Sequence, residues 1–287
     1  MNKKYYAITI YITLLIAITV LLYVIRPKNQ LQELTQIVPN LIPTATPTPF
    51  IFTTYSAPKI EQKKVYKIAM VGDSMTAALG PHGGGLSEYM NLLYRKNNSD
   101  PQSIIIDNYA KSSNIQAIDS QLSQKMTISE YTYGPLLSGN YDLILIESYA
   151  YNPLSQYGVD EGIKQQNLAL NKLMTTLITT LPDASIVFVA TIAPNIENYA
   201  KVTQPNNSSV ERGKQAEERV AYLKNHIAYA KSHNIPLINI YEKSLSEKGD
   251  GNMKYINGTD DIHPSFAGVD FIGHEIGNYI HENQIIP

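Results

Sequence analysis

From Lys67 onward the chain alternates short, unbroken apolar runs with longer stretches in which apolar residues recur every three or four positions. The short runs are KIAMV at 67–71, SIIID at 103–107, DLILIE at 142–147, SIVFVAT at 185–191 and PLINIY at 236–241. Runs that are apolar at nearly every position, rather than at alternate ones, suit parallel strands covered on both faces. Between them, Ile163, Leu170, Leu173, Leu177 and Leu181 fall on one face of a helix, as do Ala216, Val220, Leu223, Ile227 and Ala230. Val269, Ile272, Ile276 and Tyr279 make a third such face near the end. Five strands with intervening helices predict an α/β domain over residues 65–287, a three-layer, doubly wound parallel sheet of flavodoxin-like type with right-handed crossovers.

The pattern before residue 65 is different. After a tail of residues 1–4, Tyr5 to Ile25 is an uncharged apolar run between Lys3 and Lys4 on one side and Arg26 and Lys28 on the other. A bilayer core of about 30 Å needs about 20 such residues, so residues 5–25 predict one transmembrane anchor. A cleaved signal peptide would have a shorter apolar region ending in a small-x-small site, and none follows Ile25. The short, doubly basic amino terminus favours that end inside and the body outside the cell. Residues 26–64 turn to Pro, Thr, Gln and Ser around IPTATPTPF, which predicts an extended linker holding the domain off the membrane.

Composition narrows the partners. The 287 residues are 44% hydrophobic and 17% charged, with a formal net charge of -2 and no basic stripe for a phosphate backbone, which argues against nucleic acid. The absence of cysteine excludes a disulfide, a thiolate nucleophile, a zinc-thiolate site and an acylated lipoprotein cysteine.

Candidate chemistry sits at two ends of the domain. The run Val65 to Thr76, VYKIAMVGDSMT, stops at Gly72-Asp73-Ser74, which places Ser74 just past the carboxyl end of a strand, where an open α/β sheet keeps its ligand crevice. Gly, Asp and Ser also end strands without doing chemistry. Far along, TDDIHPS sets Asp260 three residues before His263, with Ser265 able to cap the last helix. At that spacing the Asp can reach the second ring nitrogen of the His and fix its tautomer.

GDSMT after the first strand together with DDIHP before the last helix resembles the SGNH or GDSL hydrolase family, over roughly residues 65–284. The resemblance implies a serine esterase in which Ser74 is the nucleophile, His263 the general base and Asp260 the residue that orients it. It further implies an oxyanion hole made by the backbone N–H of Ser74, the backbone N–H of Ser113 and the side chain of Asn152. Two departures stand out: Ser113 occupies a family glycine position, and Asn152 in IESYAYNP lacks the preceding glycine and is followed by Pro153.

Other features are weaker. GPHGGG at 80–85 is a glycine-rich loop, read as an acyl-pocket wall or lid, with His82 a solvated loop residue. Tyr149, Tyr151 and Tyr157 are candidates for a substrate groove, and the polar stretch 194–209 reads as a mobile loop over the same edge. His226, His233, His274 and His281 do not cluster with carboxylates, so no metal and no cofactor is expected. The expected activity is ester hydrolysis at an envelope polysaccharide or a lipid. The alternatives are an O-acyltransferase with the same triad and a catalytically idle domain that binds a wall polymer.

Overall fold

A computed structural model describes residues 52–96 and 102–287. The expected tail, anchor and first part of the linker, at 1–51, lie outside the described residues. Among the described residues, no helix is long and apolar enough to cross a membrane.

Strand β1 is Val65–Val71, followed by a one-turn helix α1 (Ser74–Ala77), helix α2 (Gly85–Lys96) and strand β2 (Ser103–Asn108). Next come a short helix α3 (Ile118–Ser123), the strands β3 (Met126–Ile128) and β4 (Tyr131–Tyr133), and then β5 (Leu143–Glu147). Helix α4 (Val159–Thr180), β6 (Ser185–Ala190), α5 (Ser209–Ser232), β7 (Leu237–Asn239), α6 (Ile240–Lys243) and α7 (Phe266–Glu282) complete the order.

The five expected strands form one parallel sheet in the order β2-β1-β5-β6-β7. Ile68 is paired with Ile106 on one side and Leu143 on the other, so β1 is interior and its run of apolar residues is covered on both faces. On one face Met70, Leu145 and Val189 line a small cavity together with Ile272 and Ile276 of α7. On the other, Phe188 stacks on His226 and Tyr229 of α5. The chain reverses its direction of strand addition between β1 and β5, and at such a switch point the strand ends diverge to leave a crevice.

Two parts of the body escaped the apolar pattern. The antiparallel pair β3–β4 is too short to give a periodic signal. It braces the glycine loop, Tyr133 Oη donating to the Pro81 carbonyl at 2.6 Å, while Asn108 at the end of β2 donates its Nδ2 to the Gly80 carbonyl at 2.8 Å. His82 in this loop is not merely solvated, since Nδ1 lies 3.1 Å from the Ile106 carbonyl and the ring meets Tyr131 edge-on. The second part is residues 52–64, read as the end of a linker. They are neither helix nor strand, yet Phe52, Tyr55 and Ile60 are buried. Tyr55 Oη accepts the N–H of Ile186 in β6 at 2.7 Å, and Phe52 stacks on His233.

Candidate active site

The turn after β1 is built around the Asp73 carboxylate. Asp73 is the N-cap of α1: its Oδ1 accepts the N–H of Met75 at 2.9 Å, as short polar side chains do at helix starts. Its Oδ2 accepts the N–H groups of Tyr151 at 3.0 Å and Asn152 at 3.2 Å, which draws the end of β5 against the turn. Ser74 is thereby the first residue of α1, half-buried at the rim, and its N–H makes no hydrogen bond among the described residues. Gly72 is required by a close approach, because a Cβ there would stand 2.7 Å from Glu147 Cβ.

Beneath the turn lies Glu147, the last residue of β5 and fully buried. Its Oε2 accepts the N–H groups of Asp73 and Tyr149, each at 3.2 Å, and Oε1 takes the Ser148 hydroxyl. Burial, and then the neighbouring Asp73 carboxylate, push the Glu147 carboxyl well above the ordinary range. Gln121 of α3 ties the loops together from below. Its Nε2 donates to the Gly72 carbonyl at 3.2 Å and to Ser113 Oγ at 3.1 Å, while Oε1 accepts the Tyr149 hydroxyl.

The second half of the site is the loop before α7. His263 Nδ1 lies 2.8 Å from Asp260 Oδ2, and Asp260 Oδ1 accepts the N–H groups of Ile262 at 2.8 Å and His263 at 3.0 Å. Partial burial raises the Asp260 carboxyl, but the Ile262 N–H, the His263 ring and the His263 N–H outweigh it and hold the group below its ordinary value. Ser265 caps α7 as expected, with the N–H of Gly268 donating to its hydroxyl at 3.1 Å. Asp261, given no role by the motif, has φ of 57° and is buried. Its carboxylate accepts the N–H of Val202 at 3.2 Å and its carbonyl that of Ala200 at 3.3 Å. The stretch 194–209 is therefore bonded to the histidine loop rather than loose above it. Tyr199 within it approaches Tyr151, with ring centroids 6.4 Å apart, which closes a circuit from the histidine loop to the Asp73 turn.

Of the residues singled out in the sequence, the structure joins His263 to Asp260 and Asn152 to Asp73. It does not join Ser74 to His263, for the Ser74 hydroxyl makes no hydrogen bond among the described residues. The Ser113 N–H is already engaged, donating to the Lys111 carbonyl at 2.7 Å in a tight turn, so it is not a free oxyanion donor. Asn152 also sets its side-chain amide against the Asp73 carboxylate. Tyr149 and Tyr151 are buried supports, the latter donating to the Ile192 carbonyl at 3.1 Å; Tyr157 alone of the three is exposed. Glu147 and Gln121 were not singled out. A carboxylate closing the otherwise apolar LILIE was the available signal for the first. Among the described residues, no group of three His, Asp or Glu side chains is placed to hold a metal ion.

No protein-family model matches the sequence, and no curated protein matches it. Among solved structures, a GDSL-like lipase from Parabacteroides merdae superposes with a TM-score of 0.52 at 15% identity, over 79% of this chain and 100% of that one. The chain has the fold of a GDSL-like lipase. Another GDSL-like lipase, from Bacteroides thetaiotaomicron, gives a TM-score of 0.49 at 13% identity over 76% of this chain and 88% of its own. A lipase/acylhydrolase from Enterococcus faecalis gives 0.48 at 15% identity, over 76% and 96%. In this GDSL-like frame, Ser74 and the His263–Asp260 pair lie in the turn after the first strand and the loop before the last helix.

Proposed function

We propose that the chain is a membrane-anchored serine hydrolase of carboxylic esters. The observation that carries the reading is the 2.8 Å contact between Asp260 Oδ2 and His263 Nδ1. It fixes the imidazole through one nitrogen and leaves Nε2 for proton transfer, in a fold that puts a serine at the start of α1. In this reading Ser74 Oγ attacks the ester carbonyl while His263 Nε2 takes its proton, and the imidazolium formed is stabilised by Asp260. The Ser74 N–H and the Asn152 side chain donate to the oxyanion. His263 then protonates the departing alcohol, and a water activated by the same nitrogen releases the acid. Hydrogen bonds between nucleophile and base are often long without substrate and tighten in the complex, which accommodates the unbonded Ser74 hydroxyl.

The apolar run at 5–25 supports a single-pass anchor with the body outside the cell, and hence an acylated envelope polysaccharide or a lipid as substrate, acetyl esters first. An ester panel of graded acyl length, with Ser74→Ala as control, tests the activity. Hydrolysis that survives the substitution unchanged ends the proposal. The same triad serves an O-acyltransferase, and product analysis with and without a sugar acceptor separates the two. A second reading, a polymer-binding domain without turnover, is favoured by the engaged Ser113 N–H. A fluorophosphonate probe that labels Ser74 excludes it.

A further inference from the structure

Asp73 and Glu147 are both buried to the last few per cent, at 0% and 2% exposure, and the Asp73 N–H donates to Glu147 Oε2 at 3.2 Å, which sets the two carboxyl groups side by side in the interior. Among the described residues neither carboxylate forms an ion pair with a lysine, arginine or histidine. The titratable groups that face the pair are Tyr149 and Tyr151 from the end of β5; Tyr199 and Arg219 stand behind Tyr151, and the His226 ring of α5 reaches the strand at the Ile146 carbonyl. Two ionised carboxylates side by side in a protein interior are not a stable arrangement.

The donors around them are unequal. Asp73 receives three backbone N–H groups, from Met75, Tyr151 and Asn152, together with the Asn152 side chain. Glu147 receives two, from Asp73 and Tyr149, and meets a hydroxyl that can equally accept. The better-solvated group keeps the charge and the other keeps the proton.

We propose that Asp73 and Glu147 share a single proton, held on Glu147, and that this bridged pair is the latch that locks the Ser74 turn onto the Tyr149–Asn152 turn. Glu147 is then a positioning residue. It touches no substrate, but it keeps the nucleophile and the oxyanion donor in register. Its catalytic consequence rests on the esterase reading above; its effect on folding does not.

The sign of the pH dependence follows. Burial and the adjacent Asp73 raise the Glu147 carboxyl in the folded protein, so above its ordinary value of 4.5 the folded state binds one more proton than the unfolded chain. That contribution to stability is full below 4.5 and falls by about tenfold in the folding equilibrium per pH unit, until the folded group itself titrates.

The test compares full-length wild type with Glu147→Gln, whose amide is a permanent neutral donor, in denaturant unfolding from about pH 5 to about pH 9. The wild type is expected to lose stability relative to the variant as pH rises, and ester turnover of the variant to fall less steeply on the alkaline side. A stability difference that is flat across this range overturns the latch, whatever the turnover. A pH-dependent difference without any ester turnover supports the latch and leaves the esterase reading to fall alone. Should Glu147→Gln not fold, the infrared spectrum of wild type decides: a protonated-carboxyl stretch persisting at about pH 8 supports the shared proton, and its absence overturns it.

Discussion

The N–H of Asn152 donates to the carboxylate of Asp73 at 3.2 Å, so the residue beside Ser74, the proposed nucleophile, also holds the residue proposed as an oxyanion donor. Both turns belong to one hydrogen-bonded unit at the β1/β5 switch point. In the proposed esterase reading, one Asn152 amide N–H stays with Asp73 and the other, with the Ser74 N–H, is offered to the oxyanion, where preorganised donors stabilise acyl transfer most.

Asn152→Ala keeps the backbone N–H that Asp73 accepts and removes only the side-chain donor. Turnover of a short-chain ester should fall by about 10²–10³, or about 3 kcal/mol of transition-state stabilisation, with KM little changed. Steady-state kinetics on wild type and variant check this. A loss confined to KM would place Asn152 in ground-state binding instead.

Asp260→Asn retains an oxygen for the N–H groups of Ile262 and His263 but presents an amide to the imidazole. The ring then takes the wrong tautomer, and turnover is expected to drop by about 10⁴. Because its hydrogen bonds hold the Asp260 carboxyl below its ordinary value, the pair stabilises the fold above that value and ceases to do so as pH falls through the lowered one. Unfolding midpoints near neutrality and in acid, measured on both proteins, should converge at low pH. Midpoints that stay apart would show that the His263 contact is not what Asp260 contributes.

The sheet and the two ends of the site were legible because each rests on local pattern. Five continuous apolar runs gave five parallel strands, and a serine closing the first run and an Asp-x-x-His before the last helix were recognisable as letters. What the sequence hid depends on distant partners. A glutamate closing LILIE reads as a strand end until the fold buries it against Asp73, and Gln121 has no motif because its three partners come from residues 72, 113 and 149. Ser113 illustrates the opposite error: the motif position fixes which N–H is expected, but the turn that engages it with Lys111 is set by backbone geometry. Residues 52–64 misled for a related reason: the proline-rich stretch before them suggested extended chain as far as Lys64, and extended chain says nothing about whether it is packed.

That packing has a practical consequence for any soluble fragment. One beginning at Glu61 loses Phe52, Tyr55 and Ile60, each buried, and leaves the Ile186 N–H of β6 without its Tyr55 acceptor. Burial of a large apolar side chain contributes about 1.5–3 kcal/mol. A fragment beginning at residue 61 should therefore unfold at markedly lower denaturant than one beginning near residue 50, if it folds at all. Equal midpoints would mean that the arm adds nothing to the body.

His226 offers a test of the core that is independent of the active site. Its ring is fully buried, stacked on Phe188 with centroids 4.4 Å apart, and neither nitrogen makes a well-formed hydrogen bond. Burial pushes its pKa from 6.5 down to about 3, the nearby Ile146 carbonyl offsetting little of this. Between those two values the unfolded chain binds a proton that the folded protein refuses, so stability falls as the solution is acidified, by about 1.4 kcal/mol per pH unit. Over the whole window the loss is about 5 kcal/mol. His226→Phe keeps a ring against Phe188 and has nothing to protonate. It should cost less than about 1.5 kcal/mol near neutrality and unfold at a distinctly lower pH than the wild type. Because the other acid-sensitive groups are common to both proteins, the difference between the two stability curves isolates this one ring. Superimposable acid limbs would mean that His226 is already protonated, or already solvated, in the native protein.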